Sequence, residues 1–288
     1  MTFSRHLVVI TGATRGLGRL IAERFWDSGD DLIFIARNEN DLNRIARECE
    51  TTSQITGQKA YFFAADLSDP AQIPSVINAI HNVAGEPDIL INNAGIQGPI
   101  GPLHTNDWSE WQACLNVCLL APVQICRGLL PSMIHRRFGR IVNISGGGAA
   151  SPRPNFSSYA TAKCALVRFS ETLALEVGRY GITINCVAPG AMYSSLTEKI
   201  LEAGAEYAGN KEIESARRLI QENPHSEKRA ADLVYFLTTE KCAHISGKLI
   251  SAVWDPWENL PDVARVIMES DVYTLRRILP RERDLMFE

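Results

Sequence analysis

The sequence predicts an α/β protein, a doubly wound and mostly parallel sheet of seven strands with helices on both faces, followed by a C-terminal helical tail. Three observations lead there. Short apolar, β-branched runs alternate with longer amphipathic stretches along the whole chain. The first run opens into a glycine-rich loop and then a helix. No repeat, low-complexity segment or linker interrupts the alternation, so one domain accommodates most of the 288 residues.

In chain order the strand-like runs are 7–11, 31–36, 60–65, 88–91, 140–144 and 182–187. Helical spacing of apolar residues fills each gap, and strands that alternate with helices pair in parallel with both faces covered. A helix over 227–238 leads to a seventh run at 245–253. Two segments stand outside the alternation. Residues 192–225, rich in Glu, Ala and Lys, read as a lid; residues 255–288 read as an extension beyond a domain of 1–254. Within that extension 261–270 and 271–278 both carry helical spacing, with Pro261 suited to a first turn. Trp254, Trp257 and this amphipathic tail read first as packing against the body or a partner subunit, and second as lining a substrate pocket.

A net charge of −4 and a pI near 5.9 provide no electrostatic footprint for nucleic acid or an anionic membrane. Seven cysteines without metal-ligand spacing argue for reduced thiols that fill the core of a cytoplasmic protein, and for no metal site. The first strand begins so early that no removable leader is expected. The apolar stretch 114–134 contains Asn116, Pro122, Gln124 and Arg127, and reads as buried helix rather than a membrane span.

Two patterns carry chemistry. Gly12, Thr14, Arg15, Gly16, Leu17 and Gly18 form a turn between strand and helix. Its glycines let backbone amides and a helix N-terminus approach a pyrophosphate. Tyr159 and Lys163 stand one helical turn apart on one face, and a nearby ammonium favours the phenolate, drawing the group toward the range useful for acid–base work. Tyr207 and Lys211 repeat the spacing, but Gly209 and Asn210 between them read as a turn that breaks the helical register.

With the glycine loop, Asn92-Asn93-Ala94-Gly95 after the fourth strand and Tyr159-x-x-x-Lys163 after the fifth, residues 5–250 resemble the short-chain dehydrogenase/reductase family. Asp66-Leu67, Asn116 and Pro189-Gly190 appear in that family's order, and the T-G-x-x-x-G-x-G form is similar to its short branch. The resemblance implies a Rossmann fold that binds a nicotinamide dinucleotide and acts on alcohols and carbonyls. It implies that Tyr159 is the general acid/base, that Lys163 holds the ribose and depresses the tyrosine pKa, and that Asn116 anchors a relay water. It also carries cofactor contacts onto Asp66, Leu67, Asn93, Ala94, Gly95, Pro189, Gly190 and Ser194, and it implies a homodimer or homotetramer.

One position departs from the pattern. The serine that usually contacts the substrate oxygen lies thirteen residues before the tyrosine, where this chain has Gly146. Either Ser145 swings into place, or another donor substitutes. Ser145 as a plain strand-end residue is the competing reading. The end of the second strand reads Ala36-Arg37-Asn38, with an arginine where a carboxylate would select NAD. Arg37 and Arg15 suit a 2′-phosphate, so NADP(H) is the expected cofactor. Arg153 and His104 could bind an anionic group, against solvent exposure or a structural hydrogen bond. The resulting expectation is an NADP(H)-dependent oxidoreductase that interconverts a ketone and a secondary alcohol on a small molecule. The alternatives are a dinucleotide-binding regulator without turnover and a non-redox lyase or epimerase.

Overall fold

The computed structural model describes residues 5–53, 55–222 and 226–285. Seven strands form one sheet in the order β3-β2-β1-β4-β5-β6-β7, and every neighbouring pair is parallel. The strands are β1 (Leu7–Thr11), β2 (Asp31–Ala36), β3 (Ala60–Ala64), β4 (Ile89–Asn92), β5 (Gly139–Ile144), β6 (Ile182–Ala188) and β7 (Leu249–Ser251). The first six match the runs seen in the sequence to within a residue or so at each end. The seventh is shorter than the run 245–253, because Gly247 takes a left-handed φ of 73° and residues 252–254 already turn away.

The described residues form ten helices. They are α1 (Gly16–Trp26), α2 (Glu39–Thr52), α3 (Ile73–Val83), α4 (Trp108–Leu115), α5 (Ala121–Arg136), α6 (Ser157–Val177), α7 (Ser195–Ala208), α8 (Asn210–Glu222), α9 (Ser226–Phe236) and α10 (Leu260–Met268). Alternation along each buried strand splits its side chains between two cores. Val8, Ile10, Leu32 and Phe34 face α1, α2 and α9; Val9, Ile33, Ile35 and Leu90 face α3, α5 and α6. Phe25 and Phe34 are fully buried, each contributing roughly 1.5–3 kcal/mol of transfer free energy. Helix starts are capped locally. Asn38 accepts from the amides of Asn40 and Asp41 at α2, and Asp107 from that of Glu110 at α4.

A π-turn, Asn116–Leu120, joins α4 to α5 into one helical run over Trp108–Arg136. This run is long and apolar enough to cross a membrane. It packs Cys118, Ala121, Ile125 and Leu129 into the body, as the sequence reading of buried helix requires. Six of the seven cysteines are buried, and Cys164 is exposed.

The segment expected to be a lid forms α7 and α8, separated by Gly209 at φ 89°; this break puts Tyr207 and Lys211 on different helices. The end of the expected lid at His225 lies outside the described residues. The tail follows expectation over α10 but not beyond it. Residues 271–278 are irregular rather than helical: apart from one turn, in which the Thr274 amide donates to the Asp271 carbonyl, their backbone bonds to the body. The Leu249 amide donates to the Tyr273 carbonyl at 2.8 Å, and Lys248 Nζ donates to the carbonyls of Ser270 and Val272. Trp257 is buried beside Leu260 and Ile267, whereas Trp254 is 84% exposed.

Candidate active site

The sheet order reverses between β1 and β4, and a cleft of about 860 Å³ opens there over the carboxyl ends of the strands. The glycine loop forms one wall. Gly12 and Gly16 adopt φ of 68° and 55°. A Cβ on Gly18 would stand 2.3 Å from the Gly12 carbonyl oxygen and 2.5 Å from Asn93 Nδ2, so only glycine closes this turn. Asn93 binds the loop from β4 by donating to the carbonyls of Thr11 and Gly12, while Thr11 Oγ1 accepts from the amides of Asn93 and Ala94. These bonds hold the cradle in shape without a ligand.

Of the expected cofactor residues, Gly12, Thr14, Arg15, Gly16, Leu17, Gly18, Arg37, Asp66, Leu67, Asn93, Ala94, Gly95, Pro189 and Ser194 all line this cleft, as do Ser145, Tyr159 and Lys163. Gly190 lies behind the wall instead, because it packs on Val253 and Ser226. Asn116 is also absent from the lining, since its side chain donates to the Ser68 carbonyl at 2.8 Å and so ties the π-turn to the β3 loop. Asp66 accepts from the amide and hydroxyl of Ser68. The Ser68 amide, with the hydroxyl adding to it, holds its carboxyl below the usual range.

Arg15 and Arg37 are exposed at the mouth and have no ion-pair partner among the described residues. Arg44, two turns into α2, joins them in the lining while bridging Asp41 and Glu48. Nothing in the linear spacing marked Arg44; only the direction of α2 brings it to the mouth. The cradle and its arginines suit a dinucleotide that bears an extra phosphate.

At the inner end Lys163 Nζ donates to the Ile144 carbonyl at 2.7 Å and stands 5.7 Å from the centre of the Tyr159 ring. The expected depression of the tyrosine pKa is not what the structure has. Burial among Cys114, Cys118 and Ala162 pushes Tyr159 above its ordinary value, and the cation that opposes the rise is Arg153. The glycine in place of the usual serine has a steric cause. A Cβ at Gly146 would lie 2.3 Å from Tyr159 Oη and 3.0 Å from Cε1 and Cζ, so the tyrosine occupies the space a side chain there would need. Ser145 is 2% exposed and its hydroxyl has no partner among the described residues, although the residue lines the cleft. An unsatisfied buried hydroxyl in the lining of a cleft is a donor free for a ligand. His104 is exposed, and Arg153 pairs with Glu212 of α8.

The sequence profile of the short chain dehydrogenases matches residues 6–204. This chain belongs to that family. The 3-oxoacyl-acyl-carrier-protein reductase of Escherichia coli is 32% identical over 250 residues, covering 87% of this chain and 96% of the relative. Among solved short-chain dehydrogenases, the L-sorbose reductase of Gluconobacter frateurii, complexed with NADPH and L-sorbose, superposes with a TM-score of 0.74 at 27% identity. That match covers 86% of this chain and 95% of the other. An actinorhodin polyketide ketoreductase variant with NADPH gives a TM-score of 0.75 at 25% identity, covering 87% and 97%.

Proposed function

We propose that this short-chain dehydrogenase interconverts a ketone and a secondary alcohol with Tyr159 as general acid/base. It is an NADP(H)-dependent oxidoreductase of small molecules, in keeping with its reductase relatives and with the arginines at the cleft mouth. The observation that carries the finer reading is the meeting of Ser145, Tyr159 and Lys163 on one wall of the cleft that the glycine loop closes.

The glycine-loop amides would hold the pyrophosphate, Arg15 and Arg37 the 2′-phosphate, and Asp66 and Leu67 the adenine end. Asn93, Ala94, Gly95 and Lys163 would hold the ribose next to the nicotinamide. Pro189 and Ser194 would border the nicotinamide itself. Bound NADPH supplies the hydride. Tyr159 donates its proton to the substrate oxygen, and burial favours this role because it keeps the phenol protonated. The orphaned Ser145 hydroxyl donates to the same oxygen. Lys163 stands one turn away to stabilise the phenolate left behind.

Tyr159→Phe tests the assignment. Its expected outcome is loss of ketone reduction by about 10²-fold or more with unchanged NADPH affinity. Retained turnover would overturn it. Gly146 favours one rival, a dinucleotide-binding regulator. That rival requires the same variant to keep its cellular function. We infer a cytoplasmic homodimer or homotetramer that pairs through the outer faces of α4, α5 and α6.

A further inference from the structure

We propose that Arg153, which flanks this cleft without forming part of its wall, is a substrate-recognition arginine, oriented by Glu212 to offer one N–H to an oxygen of an uncharged, hydroxyl-bearing ketone. The inference rests on the carbonyl-reductase reading above and names the substrate class for it.

Arg153 sits on the loop between β5 and α6, and three successive glycines shape its surroundings. Gly146 abuts the Tyr159 hydroxyl. At the next residue, the direction a Cβ would take points to Arg153 Nη1 at 3.5 Å and Cζ at 3.7 Å, so the guanidinium lies along bare backbone one residue from the reacting centre. Gly148, at φ 93°, brings its own missing Cβ to within 3.4 Å of Arg153 Cβ.

The group is fixed on its other sides. Nε donates to Glu212 Oε1 at 3.0 Å and Nη2 to Oε2 at 2.6 Å, a bidentate pair in which the two side chains are 16% and 26% exposed. The guanidinium stacks 3.9 Å from the centre of the Phe156 ring, and Phe156 packs in turn on Ile200 of α7 and Ile213 of α8. Lid and loop therefore clamp the plane of the arginine from both sides. Nη1 has no hydrogen-bond partner among the described residues, so one donor edge remains for a ligand.

Charge decides the class of ligand. Glu212 already neutralises the arginine with ideal bidentate geometry, so a substrate carboxylate would have to displace a half-buried carboxylate to gain a cation. A hydroxyl or carbonyl oxygen needs only the free N–H. The lid margin of the cleft offers the complementary groups. Tyr193 donates to Glu198 at 3.0 Å, and both line the cleft beside Ser194 and Ser195, so substrate hydroxyls find acceptors as well as donors.

Three six-carbon ketones test the proposal with the NADPH-loaded enzyme: L-sorbose, 2-hexanone and 5-oxohexanoate. Wild type should reduce L-sorbose with the highest kcat/KM. Arg153→Met combined with Glu212→Leu removes the N–H without stranding a buried carboxylate. It should lower kcat/KM for L-sorbose about tenfold, the order expected for one hydrogen bond from a charged donor. The same double variant should leave 2-hexanone within about twofold and NADPH affinity, read by fluorescence, unchanged. Equal losses for L-sorbose and 2-hexanone would reduce Arg153 to a structural clamp, and a wild-type preference for 5-oxohexanoate would make it an anion site; either result overturns the proposal. If wild type reduces none of the three, the reductase reading falls. Calorimetric titration of the same ketones into the NADPH complex then decides the recognition claim: L-sorbose binding that the double variant loses upholds it, and binding that is absent or unaffected overturns it.

Discussion

Restoring the family's usual serine at position 146 should damage this enzyme. In Gly146→Ser the new Cβ would start 2.3 Å from Tyr159 Oη, against an ordinary contact of about 3.5 Å. Relief requires the phenol or the loop to retreat by roughly 1 Å, and a displacement of that size at a reacting group costs on the order of 10²-fold in rate. Overpacking a buried site also costs about 1–3 kcal/mol of stability, or roughly 2–4 °C of Tm per kcal/mol in a chain of this size class. Three measurements separate these effects: kcat from steady-state NADPH oxidation with a ketone, NADPH affinity from fluorescence titration, and Tm from calorimetry. The expected result is a kcat lower by about 10²-fold, a Tm lower by a few degrees and an unchanged NADPH affinity. Gly146→Ala, which adds the Cβ without the hydroxyl, should behave alike. A serine variant as fast as wild type or faster would refute the steric reasoning and show that Ser145 is not the working donor.

The other expectations concern the cofactor and alkaline stability. Arg37→Asp should weaken NADPH binding ten- to a hundredfold, matching about 1.5–3 kcal/mol for a hydrogen bond between charged groups, and should improve NADH binding. Equal effects on the two cofactors would remove Arg37 from the 2′-phosphate site. Burial pushes Cys49 up to about 11 and Cys126, Cys186 and Cys242 to about 12, from an ordinary thiol value of 9.0. A folded-state pKa raised in this way means that the native protein keeps protons the unfolded chain gives up. The contribution to stability is complete below pH 9 and declines as pH rises toward 12. Under reducing conditions Tm should fall steadily from about pH 9 upward, and a flat profile would contradict the burial of these thiols.

Most of the sheet could be read from the sequence because its five inner strands are buried on both faces and so appear as uninterrupted apolar runs. The turn at 55–58 and the π-turn at Asn116 left no such trace. Residues 271–278 misled for a related reason: their apolar spacing serves packing on the sheet edge, and a period of three or four fits an irregular strap as well as a helix. Within the site, the glycine loop, Arg15 and Arg37 were legible since their function depends on residue type at fixed spacing after a strand. The Arg153–Glu212 pair was not, because its partners stand 59 positions apart and meet only when the lid folds back. The sign of the Tyr159 shift was equally hidden. Spacing shows that a lysine is near, but the direction of the shift is set by burial beside Cys114 and Cys118, a property of the folded core.

The strap from Ser270 to Leu275 gives the far end of the sheet a boundary. β7 is the last strand in the order, and a bare last strand is a template on which a second chain can add. Here the Leu249 amide is taken by Tyr273, the Lys248 ammonium holds two strap carbonyls, and Leu275 presses on Ala149 and Val167. Growth of the sheet is thereby blocked on that side. Ala149 directly follows the three glycines, so the same segment that seals the edge also braces the loop facing Tyr159. Selection on the last thirty residues thus acts through colloidal behaviour and catalytic geometry at once, and losing them would register in both.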